Sequence, residues 1–350
     1  MGELPSDGSP MVTVIVLTYD HAQFVAQAVG SVLAQDTPWP IRVIVHDDAS
    51  SDETPEILRR LAIANPGRLE LRLRDTNVLS TGVNPSVEIL RDVTTPYVAW
   101  CEGDDWWTDP HKLRRQVEFM QDNDWCSVVH HDVETVVEDG GSDDYASHLR
   151  KLLAQPWRRE QRLPGVRIAH GNFIMTCSAM VRRSRLRERA LAAVFDVQPG
   201  DFVTFALALE DGDIGFIPES MAAYRIHGGN FWARPRDDRT GEEQRALWFL
   251  AAYAVDPMRS EVRKILTGRA TARADREPAT GSDSTIPQGV AEHDDLAVAC
   301  GEATELADEN ALLREERDAL VGSRGWRLLE RARRVRAALD SGGRRGAHRD

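Results

Sequence analysis

The stretch MVTVIVLT at residues 11–18 decides the fold class. It is continuously apolar and rich in β-branched side chains, which is typical of a strand buried on both faces of a parallel sheet. Residues 21–34 have the apolar spacing of a helix, and strand-like runs follow at 41–45, 69–73 and 96–101 with helical stretches between them. This alternation predicts a doubly wound α/β domain.

Acidic residues follow two of these predicted strands. The segment HDD occupies 46–48 and the segment EGDD occupies 102–105. Ligands of such sheets bind outside the carboxyl ends of the strands, so we expect both acidic groups on one rim. Packed carboxylates repel each other, and Mg²⁺ or Mn²⁺ would relieve that repulsion while binding substrate phosphates. The alternative is an acidic loop that is simply solvated.

The second half of the chain is less regular. Three stretches look helical, namely 110–121, 201–211 and 241–267. Two look strand-like, 125–137 and 173–182, and 214–226 is interpreted as two short strands or a turn. The polar stretch 141–165 is interpreted as a variable excursion. We therefore predict one domain over 11–267, with a ligand-binding half at 11–105 and a second half at 106–267.

Beyond this domain the composition changes. Residues 268–292 have few large apolar side chains and predict a flexible linker. Leucines at 306, 313 and 320 then recur every seven residues, so 293–340 reads as a helical tail, either a short coiled coil or a solvated helix. Residues 1–10 are predicted to be flexible and 341–350 to be disordered.

Charge and cysteine usage exclude several classes of protein. The net charge is −13, but residues 322–350 alone carry nine arginines and three acidic residues, which leaves −19 on the rest. An acidic body argues against a nucleic-acid partner. The four cysteines are far apart, which favours a reduced, cytoplasmic protein without a zinc ribbon. No apolar run is long enough to span a bilayer, and the acidic N-terminus is unlike a secretory signal.

Five motifs, in order along the chain, resemble those of the family 2 inverting glycosyltransferases. They are VTVIVLTYDHAQFV (12–25) with AVGSVLAQ (28–35), HDDASSDET (46–54), EGDDWWTDPHKLRRQ (102–116), GDF (200–202) and YRIHGGN (224–230). The resemblance covers about residues 11–232. It implies the GT-A fold, a Rossmann-like mixed sheet with flanking helices that binds a nucleotide sugar, here followed by the linker and the helical tail.

The same resemblance implies that residues 11–105 are the nucleotide-sugar half of the domain and residues 106–267 the acceptor half, and it implies where the donor binds. Thr18, Tyr19 and Asp20 would lie along the nucleoside pocket, although the family more usually has Asn where Asp20 stands. Asp48 would contact the base or the ribose. Asp104 would contact the nucleotide sugar as well as the metal.

The resemblance also implies a metal site and a catalytic base. Asp104 and Asp105 would hold Mn²⁺ or Mg²⁺, directly or through water, and His227 would be a third contact to the metal or the diphosphate. Glu102 stands where the family has Asp, so its role is not assigned. Asp201 would be the catalytic base, while its position after Pro-Gly and before an apolar stretch also suits a helix cap.

A pair of tryptophans and a basic segment near the C-terminus each allow two interpretations. Trp106 and Trp107 could stack on a sugar ring or fill the core beside the rim. Residues 323–339 can form a basic amphipathic helix that contacts an anionic membrane from the cytoplasmic side, or docks on protein.

These features predict a metal-dependent glycosyltransferase that moves a sugar from a nucleoside-diphosphate sugar, most often a UDP-sugar in this family, to a hydroxyl of a glycan or lipid-linked acceptor. The alternative is a non-catalytic GT-A-like scaffold with a partner-binding tail. A nucleotidyltransferase is disfavoured because residues 18–25 lack Gly, Lys and Arg. A glycoside hydrolase is a further alternative, because that class of enzyme also needs paired carboxylates.

Overall fold

The computed structural model describes residues 8–79, 85–187, 200–229, 246–247, 249–251 and 254–274, the last seven of them by backbone only. The chain divides into two units, Met1–Pro278 and Ala279–Asp350, and all described residues belong to the first. The predicted tail at 293–340 and the terminus at 341–350 lie outside the described residues, as do residues 1–7 and most of the predicted linker.

The first half of the domain is a parallel α/β layer, as predicted. Its strands are β1 (Val12–Thr18), β2 (Ile41–Asp47), β3 (Glu70–Leu73) and β4 (Tyr97–Glu102), and its helices are α1 (Val25–Leu33), α2 (Thr54–Ala64) and α3 (Pro85–Arg91). The strand order is β3-β2-β1-β4 with parallel pairing throughout. The carboxyl ends of β1, β2 and β4 therefore meet at one edge of the sheet.

The second half extends the same sheet with mixed pairing. Its elements are β5 (Trp106–Trp107), α4 (Lys112–Asp122), β6 (Cys126–Val137), α5 (Asp143–Leu153), β7 (Arg162–Leu163), β8 (Met180–Arg182), α6 (Gly200–Ala208), β9 (Asp213–Ile226) and α7 (Met258–Ala274). From β4 the order continues β8-β6-β9-β5, and β7 pairs with β9. The described sheet is thus the mixed sheet that the resemblance implied.

Alternation along the central strands builds a core on each face of the sheet. Ile15 and Ile44 face a core that includes side chains of α3 and α6, whereas Val14 and Val43 face a core that includes side chains of α1 and α4. Burial of each such side chain contributes about 1.5–3 kcal/mol. Both faces are covered, which explains why these strands are apolar throughout rather than alternating.

The start of α2 follows from local sequence. Asp52 Oδ1 accepts a hydrogen bond from the backbone N–H of Thr54 at 2.8 Å, and Pro55 occupies the first turn. Proline lacks the N–H that would be unsatisfied at this position, and its φ angle suits a helix. Asp52 thus binds the first N–H of the helix from the residue before the N-cap, whereas the N-cap residue Glu53 makes no capping hydrogen bond through its side chain.

Three details differ from the sequence-based expectations. Residues 213–226 form one strand rather than two, because Pro218 and Glu219 bulge out between the pairs His131↔Ile217 and Asp132↔Ser220. The polar excursion contains α5, whose first turn is capped by Ser142. Helix α7 continues to Ala274, inside the segment predicted as linker, and its apolar residues at 258, 262 and 266 anchor it to the core.

Among the described helices, none has both the length and the apolar character needed to cross a membrane.

Candidate active site

A cavity of about 510 Å³ opens at the carboxyl ends of β1, β2 and β4. Its walls come from both halves of the domain. The donor-side wall, named here for the binding role that the resemblance implies, carries Thr18, Asp48 and Asp104, and a second wall, formed by residues 169–176 and the start of α6, carries Asp201. Groups from both halves of the domain can therefore contact one bound substrate.

The loop after β1 is held to the loop after β2 by Asp20. Its carboxylate Oδ1 accepts the backbone N–H of Ser51 at 2.7 Å, and its own N–H donates to Ser50 Oγ at 2.9 Å. The φ angle of Asp20 is 53°, a left-handed conformation that Asp and Asn adopt more readily than most residues. Asp20 is not among the residues that line the cavity, whereas its neighbours Thr18 and Tyr19 are.

Carboxylates after β2 bind backbone amides. Asp48 accepts hydrogen bonds from the N–H groups of Val78 and Leu79, both at 2.9 Å, and so fixes the chain beyond β3 against the rim. His46 lies beside it, 1% exposed, and neither of its ring nitrogens has a hydrogen-bond partner among the described residues. Burial and the charge of Arg74 lower the pKa of His46, so the ring faces the cavity in its neutral form.

The loop after β4 requires glycine at position 103. A Cβ there would lie 2.7 Å from Thr18 Oγ1 and 2.8 Å from His21 Nδ1, closer than side-chain atoms approach. Burial, together with the charges of Asp104 and Asp105, raises the pKa of Glu102 well above its usual range. The three acidic side chains of this loop bring carboxylate oxygens within 4.8 Å of one another.

Asp105 is held from several sides. It is 1% exposed, and its Oδ1 accepts the backbone N–H of Arg225 at 2.8 Å. Burial raises its pKa, while hydrogen bonds from Arg225 and from the Cys177 thiol oppose that rise. Asp105 is not among the residues that line the cavity.

Arg225 fixes this loop from β9. Its Nε donates to the Asp104 carbonyl oxygen at 2.7 Å, and its guanidinium pairs with Glu138. The same group lies between two aromatic rings, 4.4 Å from the Phe24 centroid and 4.5 Å from the Trp106 centroid. A cation between two ring faces gains additional electrostatic stabilisation.

Two histidines flank the Asp104 carboxylate. His227 Nε2 lies 3.0 Å from Asp104 Oδ2, and His21 Nε2 lies 3.8 Å from the same oxygen. Burial opposes ionisation of Asp104, but the hydrogen bond from His227 and the nearby histidines outweigh it and lower the pKa. Imidazole nitrogen and carboxylate oxygen are ligands for divalent cations, so this donor set fits the metal that the resemblance implied.

On the second wall, Asp201 lies in the first turn of α6. Its Oδ2 accepts hydrogen bonds from Asn172 Nδ2 at 2.8 Å and from Thr176 Oγ1 at 3.4 Å. Burial raises the pKa of Asp201, and the hydrogen bonds only partly offset that effect. A carboxylate with a raised pKa that faces a cavity is suited to accept a proton.

Comparison with known proteins shows the family to which this chain belongs. Residues 13–189, half of the chain, match the model of "Glycosyl transferase family 2". The chain belongs to glycosyl transferase family 2. Motifs, fold and cavity thus agree on one family.

Relatives of this family 2 chain were found in several bacteria. The Mycobacterium tuberculosis protein Rv1520 is 32% identical over 229 residues, which are 65% of this chain and 62% of Rv1520. TuaG of Bacillus subtilis, provisionally described as a teichuronic acid biosynthesis glycosyltransferase, is 29% identical over 72% of this chain and 98% of its own length.

The fold is shared with a solved structure. Residues 1–349 of Staphylococcus aureus TarS, crystallised with UDP-GlcNAc, superpose with a TM-score of 0.56 and 17% identity over 77% of this chain and 74% of that one. The family 2 chain therefore has the GT-A fold, as the resemblance implied.

The structure places only some of the predicted site residues around the cavity. Thr18, Tyr19, Asp48, Asp104 and Asp201 line the cavity. Asp20, Asp105 and His227 do not, although His227 contacts Asp104 directly. The chemical roles predicted for these residues stay predictions.

The structure also adds residues that sequence reasoning missed. His21 and His46 lie inside motifs that the resemblance used, but their orientation depends on strand register. Asn172 is 29 positions from its partner Asp201, and no local pattern links them. Trp107 is buried and donates to the Cys177 carbonyl oxygen at 3.0 Å, so it belongs to the core, whereas Trp106 contacts Arg225.

Proposed function

We propose that the protein is a metal-dependent, inverting glycosyltransferase that moves a sugar from a nucleoside-diphosphate sugar to a hydroxyl group. The observation that carries this proposal is that Asp104 and Asp201, which come from the two halves of the domain, line one cavity. A single in-line displacement needs a base on one side of the anomeric carbon and charge neutralisation on the other.

Asp201 would accept the proton of the acceptor hydroxyl as the new C–O bond forms. Asn172 holds the Asp201 carboxylate through Oδ2. Thr18, Tyr19 and Asp48 would bind the nucleoside, and Asp104 and His227, with Asp105 behind them, would hold the cation. A bound divalent cation supplies neutralisation of the charge that develops on the departing diphosphate.

The donor and acceptor classes come from relatives. TarS was solved with UDP-GlcNAc, so a UDP-sugar is the donor that we would test first. The description of TuaG supports an acceptor that belongs to a cell-surface polysaccharide, either the glycan itself or a lipid-linked intermediate. Contact of the basic segment 323–339 with the inner face of the membrane would suit such an acceptor and stays a prediction.

The test uses the full-length chain with UDP-, GDP-, dTDP- and CDP-sugars, each with and without Mn²⁺ or Mg²⁺. Nucleotide binding is measured by calorimetry, and sugar transfer to water by release of nucleoside diphosphate. We expect one nucleotide to bind selectively and in a metal-dependent way. A folded protein that binds none of the four under any metal condition would contradict the proposal and favour a non-catalytic scaffold.

A further inference from the structure

His21 and His227 lie on two sides of one carboxylate. Their Nε2 atoms are 3.8 and 3.0 Å from Asp104 Oδ2, and the ring planes are nearly perpendicular, with centroids 6.0 Å apart. One ligand atom from each of the three side chains lies within 4.8 Å of the other two. His21 comes from the loop after β1 and His227 from the end of β9, so two distant parts of the chain converge here.

These spacings suit ligands of one cation. Ligand atoms about 2.1 Å from an ion are about 3.0 Å apart when they are at right angles and about 4.2 Å apart when they are opposite. Both measured separations from Asp104 fall in this interval. An ion among the three groups would therefore need little rearrangement of the protein.

Among the described residues, none forms a hydrogen bond with the ring of His21. Its Nδ1 is buried without such a partner in this part of the chain, and its Nε2 is too far from Asp104 for a hydrogen bond. Ligation of a cation through Nε2 would give this ring a strong interaction that the protein alone does not supply.

The neighbouring loop is shaped to admit His21. The Cβ of any other residue at Gly103 would lie 2.8 Å from His21 Nδ1. Glycine therefore lets the β4 loop, which carries Asp104, approach the imidazole.

The acidic residues of the β4 loop offer a competing ligand set, namely Glu102, Asp104 and Asp105. Asp105 is engaged through one oxygen, because its Oδ1 accepts the backbone N–H of Arg225, while its Oδ2 is buried without a hydrogen-bond partner among the described residues. Its 1% exposure leaves little room for the water ligands that a hard cation keeps. In the set with two histidines, the backbone N–H of Gly229 donates to Nδ1 of His227, which leaves Nε2, the atom that faces Asp104, as the ligand atom.

We propose that His21 is a ligand of the divalent cation together with Asp104 and His227, and that this ligand set makes the site select Mn²⁺ over Mg²⁺. The proposal rests on the metal dependence of the proposed function. Imidazole favours transition metals, whereas Mg²⁺ prefers oxygen ligands and retains its water. We expect Mn²⁺ to bind at least about tenfold more tightly than Mg²⁺.

The test measures metal binding by the full-length protein with the metal alone. Calorimetry gives the Mn²⁺ and Mg²⁺ affinities, and pulsed EPR of bound Mn²⁺ counts the coupled imidazole nitrogens. We expect two nitrogens in the wild type and one in His21→Ala, with Mn²⁺ affinity at least about tenfold weaker in the variant. His148→Ala is the matched control, because His148 lines the cavity outside the cluster and should leave both readouts unchanged.

The possible failures can be told apart. If His21→Ala and His21→Asn, with wild-type unfolding midpoints, keep two nitrogen couplings and full Mn²⁺ affinity, the role of His21 is wrong while metal dependence stands. Loss of Mn²⁺ affinity in Glu102→Gln but not in His21→Ala would instead assign the ion to the acidic set. A wild-type protein that binds neither ion, with or without UDP, would overturn the proposed metal dependence itself.

Discussion

The two walls of the cavity use their acidic residues differently. Asp48 on the donor-side wall and Asp20 beside that wall accept backbone N–H groups and hold loops together. On the second wall, Asp201 accepts side-chain hydrogen bonds from Asn172 and Thr176, and burial keeps its pKa raised. An acid that binds loop amides organises the site, whereas an acid with a raised pKa beside open space can exchange a proton.

The largest expected effect separates these two kinds of acid. Asp201→Asn should lower the transfer rate about 10²–10⁴-fold, because the amide cannot accept the hydroxyl proton, and should leave nucleotide affinity unchanged. The measurements are steady-state turnover and calorimetry with the nucleotide. Asp211→Asn, three residues beyond the end of α6 and exposed, is the matched control. Equal turnover in Asp201→Asn and wild type would remove Asp201 as the base.

A second prediction tests the tightness of the donor-side wall. Gly103→Ala should destabilise the protein by about 1–3 kcal/mol, because the new Cβ overlaps Thr18 and His21. Urea unfolding measures the change. Gly30→Ala in α1 is the control, since its Cβ meets nothing within 4 Å, and alanine should gain about 0.5–1 kcal/mol there. If Gly103→Ala is as stable as the wild type, the loop is less closely packed than described.

A third prediction concerns the pH dependence of Asp201. The base works when ionised, so the transfer rate falls as the pH drops through its pKa. The amide of Asn172 stabilises the ionised carboxylate, whereas burial destabilises it. Asn172→Ala should therefore raise the pKa and move the acid limb of kcat/KM to higher pH.

The control for that prediction is Asn123→Ala, because the Asn123 amide donates to the Phe119 carbonyl oxygen away from the cavity. Its pH profile should match that of the wild type. An acid limb that stays in place or moves to lower pH in Asn172→Ala would show that Asn172 does not tune the base.

The smallest expected effect concerns Asp20. Asp20→Asn keeps an acceptor oxygen and tolerates the φ of 53°, so unfolding free energy should change by less than about 0.5 kcal/mol. Asp20→Ala should lose about 1–2 kcal/mol from the missing hydrogen bonds and from backbone strain. Asp20→Gly relieves the backbone strain but still lacks the side-chain hydrogen bonds. Its unfolding free energy, measured in urea, should therefore lie between those of the asparagine and alanine variants. Equal stability of the alanine and asparagine variants would contradict the role of Asp20 in holding the two loops together.

The parallel half of the fold was predictable because β1, β2 and β4 are largely apolar runs that alternate with helical spacing. The second half was predictable in part: the sequence indicated α4, β6 and α6, but β9 contains Pro218 and an exposed Glu219 that interrupt its pattern. The bulge that keeps β9 one strand depends on its pairing with β6, which the sequence does not show. The same contrast holds for the site. Asp48 and Asp104 were found because they follow strands, whereas Asn172 meets Asp201 only through tertiary packing.

The most direct test of the central claim is the anomeric configuration of the first sugar product. An α-linked nucleoside-diphosphate sugar is incubated with enzyme, and the freshly formed sugar, transferred to water or to an acceptor, is followed by ¹H NMR before it equilibrates. A base on one wall and a cation on the other predict the β-anomer, through one displacement. The α-anomer as first product would contradict the account, because it requires a second displacement at the same carbon.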